Sequence, residues 1–219
     1  GWSISLSSDG SIVAVGAYKH DSNKGTVRVY QRNESNNTVA PIGWSKLGGD
    51  LDGEPEDKAG WSISLSSDGS IVAVGAYYHD SFKGTARVYE RNESNYTVAP
   101  IGWSQLGGDL DGESGDDAGH SVSISSDGSI VAIGAYSHDG YKGTARVYQR
   151  DVTNTNVAPI GWSKLGGDLD GETTSDKAGG SVSLSSDGSM VAVGATDHDS
   201  GKGTVRVYQR DVNNSNVAP

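Results

Sequence analysis

The residues best suited to chemistry in this sequence are acidic and sit at alternate positions in a recurring phrase, GGDLDGE. They are Asp50, Asp52 and Glu54, then Asp109, Asp111 and Glu113, then Asp168, Asp170 and Glu172. Carboxylates two residues apart beside a glycine can converge on a hard cation such as calcium, which takes about six to eight oxygens. The phrase lacks most of an EF-hand loop. An acidic loop whose carboxylates cap turns or pair with arginine is therefore the stronger reading, calcium is the weaker one, and no other cofactor is expected. Arg28, Arg87, Arg146 and Arg206 recur at one place in an acidic chain, and a half-buried guanidinium needs carboxylate partners. A His-Asp dipeptide recurs at His20-Asp21, His79-Asp80, His138-Asp139 and His198-Asp199. With serine plentiful, a hydrolase triad is conceivable. An active site is one constellation, however, whereas this dipeptide stands at one turn of every unit, where Asp is a common turn former. No catalytic residue is assigned, and the chain reads as a non-enzyme.

Two further features concern surface chemistry. RNESNNTVAP carries N-x-S/T sequons at Asn33 and Asn36, RNESNYTVAP carries them at Asn92 and Asn95, and a fifth lies at Asn213. Their matched loop positions point to N-linked glycans if the chain is secreted. One turn position reads Asn23, Phe82, Tyr141 and Gly201 in successive units. An exposed aromatic there could stack on a sugar ring or a partner protein.

These residues are positioned by a repeat. GWSISLSSDGSIVAVGAY opens at Gly1 and Gly60, and variants open at Gly119 and Gly179. The chain is one repeat domain, 1–219, with units 1–59, 60–118, 119–178 and an incomplete 179–219. In WSISLSS, Trp2, Ile4 and Leu6 face one way and the serines the other, the period of a half-buried strand. SDG supplies a tight hairpin turn. SIVAVGAY is apolar on both faces, as an interior strand is. GTVRVYQR alternates again, and IGWSKLGG makes a short fourth strand. DGEPEDKA, which leads into the next unit, is too short and acidic for a stable helix. The fold expected is all-β: a β-propeller-like array of four-stranded antiparallel blades, with an open β-solenoid as the alternative. The fourth unit shows no fourth strand, and an unpaired edge invites pairing; either that strand lies in sequence beyond these residues or a neighbouring molecule provides it.

Composition narrows the function. The chain has 219 residues, 32 glycines, no cysteine and a net charge of −11. It therefore has no disulfide or thiolate site. Its charge opposes binding to nucleic-acid phosphates and anionic membranes, and no apolar run is long enough for a membrane helix.

At AGWSISLSSDGSIVAVGAY the chain resembles the FG-GAP repeats of integrin α-subunit propellers and their algal and marine microbial relatives. Gly60-Trp61 stands near the aromatic-glycine position and Gly75-Ala76-Tyr77 replaces Gly-Ala-Pro. The resemblance implies a propeller and, in many such repeats, calcium in the loop between the first two strands. Here that loop offers only Asp9, Asp68, Asp127 or Asp187, too few oxygens for calcium.

Near-identical units give each repeat the same surroundings, which suits a regular object better than a single pocket. The function expected is an extracellular or cell-surface structural protein, a glycosylated and self-associating subunit of a fibre or filament. The alternative is an integrin-like recognition module binding carbohydrate or protein through its loop face. An enzyme ranks third.

Overall fold

The computed structural model describes residues 1–36 and 38–211. Asn213 lies outside them. The first unit forms β1 (Ser3–Leu6), β2 (Ile12–Gly16), β3 (Thr26–Arg32), β4 (Trp44–Lys46) and β5 (Leu51–Asp52). The second repeats this as β6 (Ser62–Leu65), β7 (Ile71–Ala76), β8 (Thr85–Arg91), β9 (Trp103–Gln105) and β10 (Leu110–Asp111). The third gives β11 (Ser121–Ile124), β12 (Ile130–Ala135), β13 (Thr144–Arg150), β14 (Trp162–Lys164) and β15 (Leu169–Asp170). The fourth contributes β16 (Ala178–Leu184), β17 (Met190–Ala195) and β18 (Thr204–Gln209). Each unit is one antiparallel sheet in sequence order, a propeller-like blade.

The fourth strand differs from the single IGWSKLGG segment expected. It is broken into two short pieces that pair with opposite ends of the third strand. In the first unit, Trp44 pairs with Arg32, whereas Leu51 pairs with Val27. The Gly-Gly step between them lets a neighbour in. The Trp103 indole lies fully buried and donates from Nε1 to the Leu47 carbonyl at 3.0 Å, and Gly49 N–H donates to the Ile101 carbonyl at 2.6 Å. Trp162 repeats this on Leu106 at 2.8 Å. GGDLD is thus half strand and half turn, not simply a linker.

Blades stack face to face. Ile12, Val27, Val29 and Leu51 on the back of the first sheet pack on Ile63, Leu65, Val72 and Val74 on the front of the second. The same contact recurs between the second and third blades and between the third and fourth. Each such buried aliphatic side chain contributes about 1.5–3 kcal/mol. The first strands of successive blades run side by side along the inner edge, and there the serines of the alternating pattern find their use. Ser3 Oγ donates to the Gly60 carbonyl at 2.8 Å, and Ser5 Oγ accepts from Leu65 N–H at 3.0 Å. The "polar face" of that strand is a set of bonds to the next blade.

Among the described residues, the outward faces of the first and fourth sheets have no blade against them. Ile4 is 67 % exposed where its counterpart Ile63 is 9 %, and Val207 is 59 % exposed where Val147 is 8 %.

The glycine of GAY shows how tightly successive blades approach. A Cβ on Gly75 would sit 2.1 Å from the Gly119 carbonyl oxygen of the following blade, a backbone atom. On Gly194, where no following blade is described, it would meet only the movable Ser181 Oγ at 2.4 Å. Gly75→Ala should therefore destabilise the chain by more than about 2 kcal/mol, and Gly194→Ala by under about 1 kcal/mol. Equal losses in urea unfolding would contradict this account of the blade contact.

Candidate functional site

The acidic phrases, recurring arginines and histidines do converge, at the junction between blades, but in an arrangement the sequence reading did not assemble. Its hub is an aspartate it overlooked, Asp57, which is 2 % exposed in the linker from the first blade to the second. Asp57 accepts from Arg87 Nη1 at 2.9 Å and meets His79 Nδ1 at 2.8 Å, both from the second blade. Arg87 Nε donates to Asp109 at 2.8 Å and its Nη2 to Glu54 at 3.4 Å. The next junction repeats this with Asp116, His138, Arg146, Asp168 and Glu113. At the last junction Asp176 holds His198 at 3.1 Å, and Glu172 pairs with Arg206 at 2.6 Å. In the first blade Arg28 pairs with Asp50, which Lys46 also approaches.

The three carboxylates of each GGDLDGE phrase therefore separate. Asp109 turns to Arg87 of its own blade, Asp111 to Lys83 at 2.9 Å, and Glu113 to Arg146 of the next blade. Asp52 lies 4.0 Å from Lys24, and Asp170 3.4 Å from Lys142. Two acids of one phrase do meet a histidine within 4.8 Å, as His79–Asp109–Asp111 and His138–Asp168–Asp170, and Glu54, Asp57 and His79 form a similar group. Each of these sets also contains a carboxylate hydrogen-bonded to a guanidinium, which supplies the positive charge a cation would bring. The expected turn aspartates behave as brackets: Asp68 Oδ1 accepts from Ser66 Oγ, Ser70 N–H and Ser70 Oγ at 2.7–2.9 Å.

The recurrence of Asp57, Asp116 and Asp176 was visible. It is a fixed acid in the middle of linkers that vary between their shared Glu and Ala-Gly, EPEDKAG, ESGDDAG and ETTSDKAG.

The rim loops put the sequons to different uses. Asn36 Nδ2 donates to the carbonyls of Val39, Pro41 and Trp44, and Asn95 makes the same three bonds at 2.7–3.0 Å. Asn154, which belongs to no sequon, does likewise. This asparagine ties the loop shut with the very nitrogen a glycan would occupy. Asn33 and Asn92 Nδ2 each make one bond, to Ser45 and Ser104 Oγ at 2.9 Å, which leaves one N–H direction open. An open groove of ≈ 700 Å³ lies beside this second rim loop, lined by Glu54, Arg87, Tyr89, Asn92 and Trp103 among others.

Opposite the rim, aromatic rings form a continuous arc across three blades. Trp2 contacts Trp61 at 4.9 Å, Trp61 contacts Tyr77 at 4.6 Å and His120 at 5.6 Å, and His120 contacts Tyr136 at 4.3 Å. The His-Asp turns extend the arc outward. Phe82 packs on Tyr78 at 4.2 Å, and Tyr141 lies 6.2 Å from Tyr136. These turns, His20–Asn23 and its counterparts, are single helical turns with left-handed residues inside. Phe82 has φ 73° and Tyr141 φ 66°, at the position where the fourth unit has Gly201 with φ 88°. The backbone bend has a purpose, since the Phe82 carbonyl accepts from Asp117 N–H at 2.9 Å and the Tyr141 carbonyl from Lys177 N–H at 2.8 Å. A bulky side chain there costs about 1 kcal/mol against glycine.

Burial pushes the Asp57 carboxyl up, but bonds from His79, Arg87 and Glu54 N–H outweigh it and hold it at about 2. The bond to Asp57 raises His79 above its ordinary value, against the effects of burial and Arg87. The Asp57 contribution, about 2 kcal/mol, is present above pH ~4 and is lost as pH falls toward about 2. The His79 contribution is full below pH ~6.5 and fades as pH rises through its raised value. Asp57→Asn should therefore flatten both flanks of the stability–pH curve and lower its top, measured by urea unfolding from pH 2 to 9. An unchanged acid flank would contradict the assignment of Asp57.

No family model and no curated protein matches the sequence. Among solved structures, the chain is similar to Sqt1 from Chaetomium thermophilum, a β-propeller, with a TM-score of 0.59 and 17 % identity. The match covers 95 % of this chain and 44 % of that one, so the four blades span less than half the length of that protein. The likeness is one of fold, and it agrees with the blades described above.

Proposed function

We propose that this protein is a non-enzymatic structural repeat protein of the extracellular space or cell surface, a glycosylated building element of a fibre or filament. The observation that carries this reading is the blade contact itself. One interface, made from the same residue types each time, joins all four units, and among the described residues both of its halves are also presented outward: Trp2, Ile4 and Leu6 on one side, Met190, Val205 and Val207 on the other. A further blade, whether on a second copy or in a longer chain, meets the chemistry already used between units. The interface is heterologous, so repetition builds a ring if the rotation closes and a filament if it does not. The FG-GAP resemblance and the sequons support the extracellular placement. The polar cluster at each junction is consumed by structural pairing, which favours a non-catalytic role.

A second reading, a recognition module of the integrin-like kind, is favoured by the aromatic arc.

Two outcomes test the first reading. In sedimentation and negative-stain imaging, the 219-residue chain should grow head to tail with concentration. Ile4→Glu and Val207→Glu variants should each stop as monomers, yet pair one to one when mixed. Monomers at all concentrations to about 100 μM would contradict assembly. In material secreted from eukaryotic cells, peptide mass spectra should show glycan on Asn33 and Asn92 and none on Asn36 and Asn95, whose side-chain nitrogens hold the loop. Bare peptides throughout would remove the glycoprotein part of the proposal and leave the assembly part standing.

A further inference from the structure

Fibre assembly leaves the outer members of the aromatic arc, Phe82 and Tyr141, without a role. The left-handed backbone at positions 82 and 141 serves the linker bond through the carbonyl, not the side chain. Glycine satisfies that backbone best, and the fourth unit uses it, as Gly201. The second and third units instead place large rings there, 46 % exposed for Phe82 and 50 % for Tyr141. The backbone bend is accounted for by the linker bond; the half-exposed rings placed on it are not.

The chemistry of the arc narrows the ligand. Its members are ring faces and edges, Trp61, Tyr77, Tyr78, Phe82, Tyr136 and Tyr141, with His120 joining the second blade's rings to the third's. Ammonium groups already rest on it, Lys58 Nζ at 4.1 Å from the Tyr78 ring centre and Lys177 Nζ at 5.9 Å from that of Tyr141. Exposed carboxylates of Asp80 and Asp139 stand on the same turns as hydrogen-bond acceptors. The net charge of −11 repels polyanions. Rings that take C–H faces or cations, beside acceptors for hydroxyl groups, in a field hostile to anions, fit a pyranose chain.

We infer that the arc from Trp61 to Tyr141 is a binding surface for a glycan of pyranose units, neutral or amino-substituted, clamped at its outer edge by Phe82 and Tyr141. The inference rests on the recognition reading; its outer members Phe82 and Tyr141 stand outside the buried clusters that join the blades, so a glycan there leaves the blade contact free.

The test is isothermal titration of the intact chain with neutral cello-hexaose, chitosan hexamer, anionic alginate oligomers and hexa-lysine, beside the Phe82→Gly/Tyr141→Gly variant. The inference predicts saturable binding of cello-hexaose or chitosan, none of alginate, and at least about a tenfold loss in the variant. The variant's thermal midpoint should stay within about 2 °C, because glycine suits that backbone. Tyr141→Phe, which keeps the ring, should retain binding. Absence of binding to both uncharged and amino sugars at millimolar concentration would overturn the inference. So would hexa-lysine binding alone, which would mark a basic protein as the partner, or a large fall in the variant's midpoint with sugar binding unchanged, which would make the rings packing elements. None of these outcomes bears on the concentration-dependent growth that tests assembly.

Discussion

The structure depends on each sheet being apolar on both faces. Val72 and Val74 point one way and Ala73 and Val88 the other, and all four are buried, yet a single four-stranded sheet can cover neither side by itself. Only another unit supplies the cover, at the same height and with complementary shape. That requirement explains the fidelity of the repeat better than any shared chemistry does. A change in one unit alters the fit with two neighbours, so the repeating phrase is held to what its copies tolerate. The close approach of backbones at Gly75 and Gly119 and the serine bonds along the inner edge add direction to this cohesion. Apolar faces alone could slide, whereas a hydroxyl aimed at one carbonyl fixes the register.

The polar half of the design follows from the same stacking. A linker passing between two apolar sheets must hide its own polar groups, and Asp57 does this by gathering Arg87 and His79 of the sheet it leads to. An arginine buried with a single carboxylate would leave donors unpaired, and the second and third acids come from the broken fourth strand and the linker. A buried ion cluster of this kind contributes little net stability against an apolar substitute, but breaking one partner leaves a charge stranded. It ties each linker to the blade that follows it in the same geometry at successive junctions.

Much of this was legible in the sequence. Alternation in WSISLSS and the two-sided apolar run SIVAVGAY gave the strands and their order, because burial periodicity is a local property. That the recurring arginines pair with the acidic phrases followed from charge and recurrence, but which acid meets which arginine did not. What could not be read was the third dimension. The split of the fourth strand depends on an indole from the next unit entering beside Gly48, which no pattern within one unit announces. The convergence of Asp57 with His79 joins residues 22 apart across a junction. The serines looked like a solvent face, since period two says which residues share a side but not what lies against it. Sequons specify a tripeptide and say nothing of whether Asn36 is already bonded through its side-chain nitrogen. The aromatics of the His-Asp turns were noticed one by one, while the arc they complete appears only when three blades are assembled.

The central claim is that blades are stable because they are covered on both sides. Native-state amide hydrogen exchange read strand by strand tests it most directly. The account predicts that the third-strand amides of the two inner blades, β8 and β13, exchange slowest and at a common opening free energy. Those of β3 and β18, each in a blade with one bare face, should exchange faster. Equal protection in all four blades, or slower exchange at the ends, would show that each sheet holds itself together and would contradict the claim.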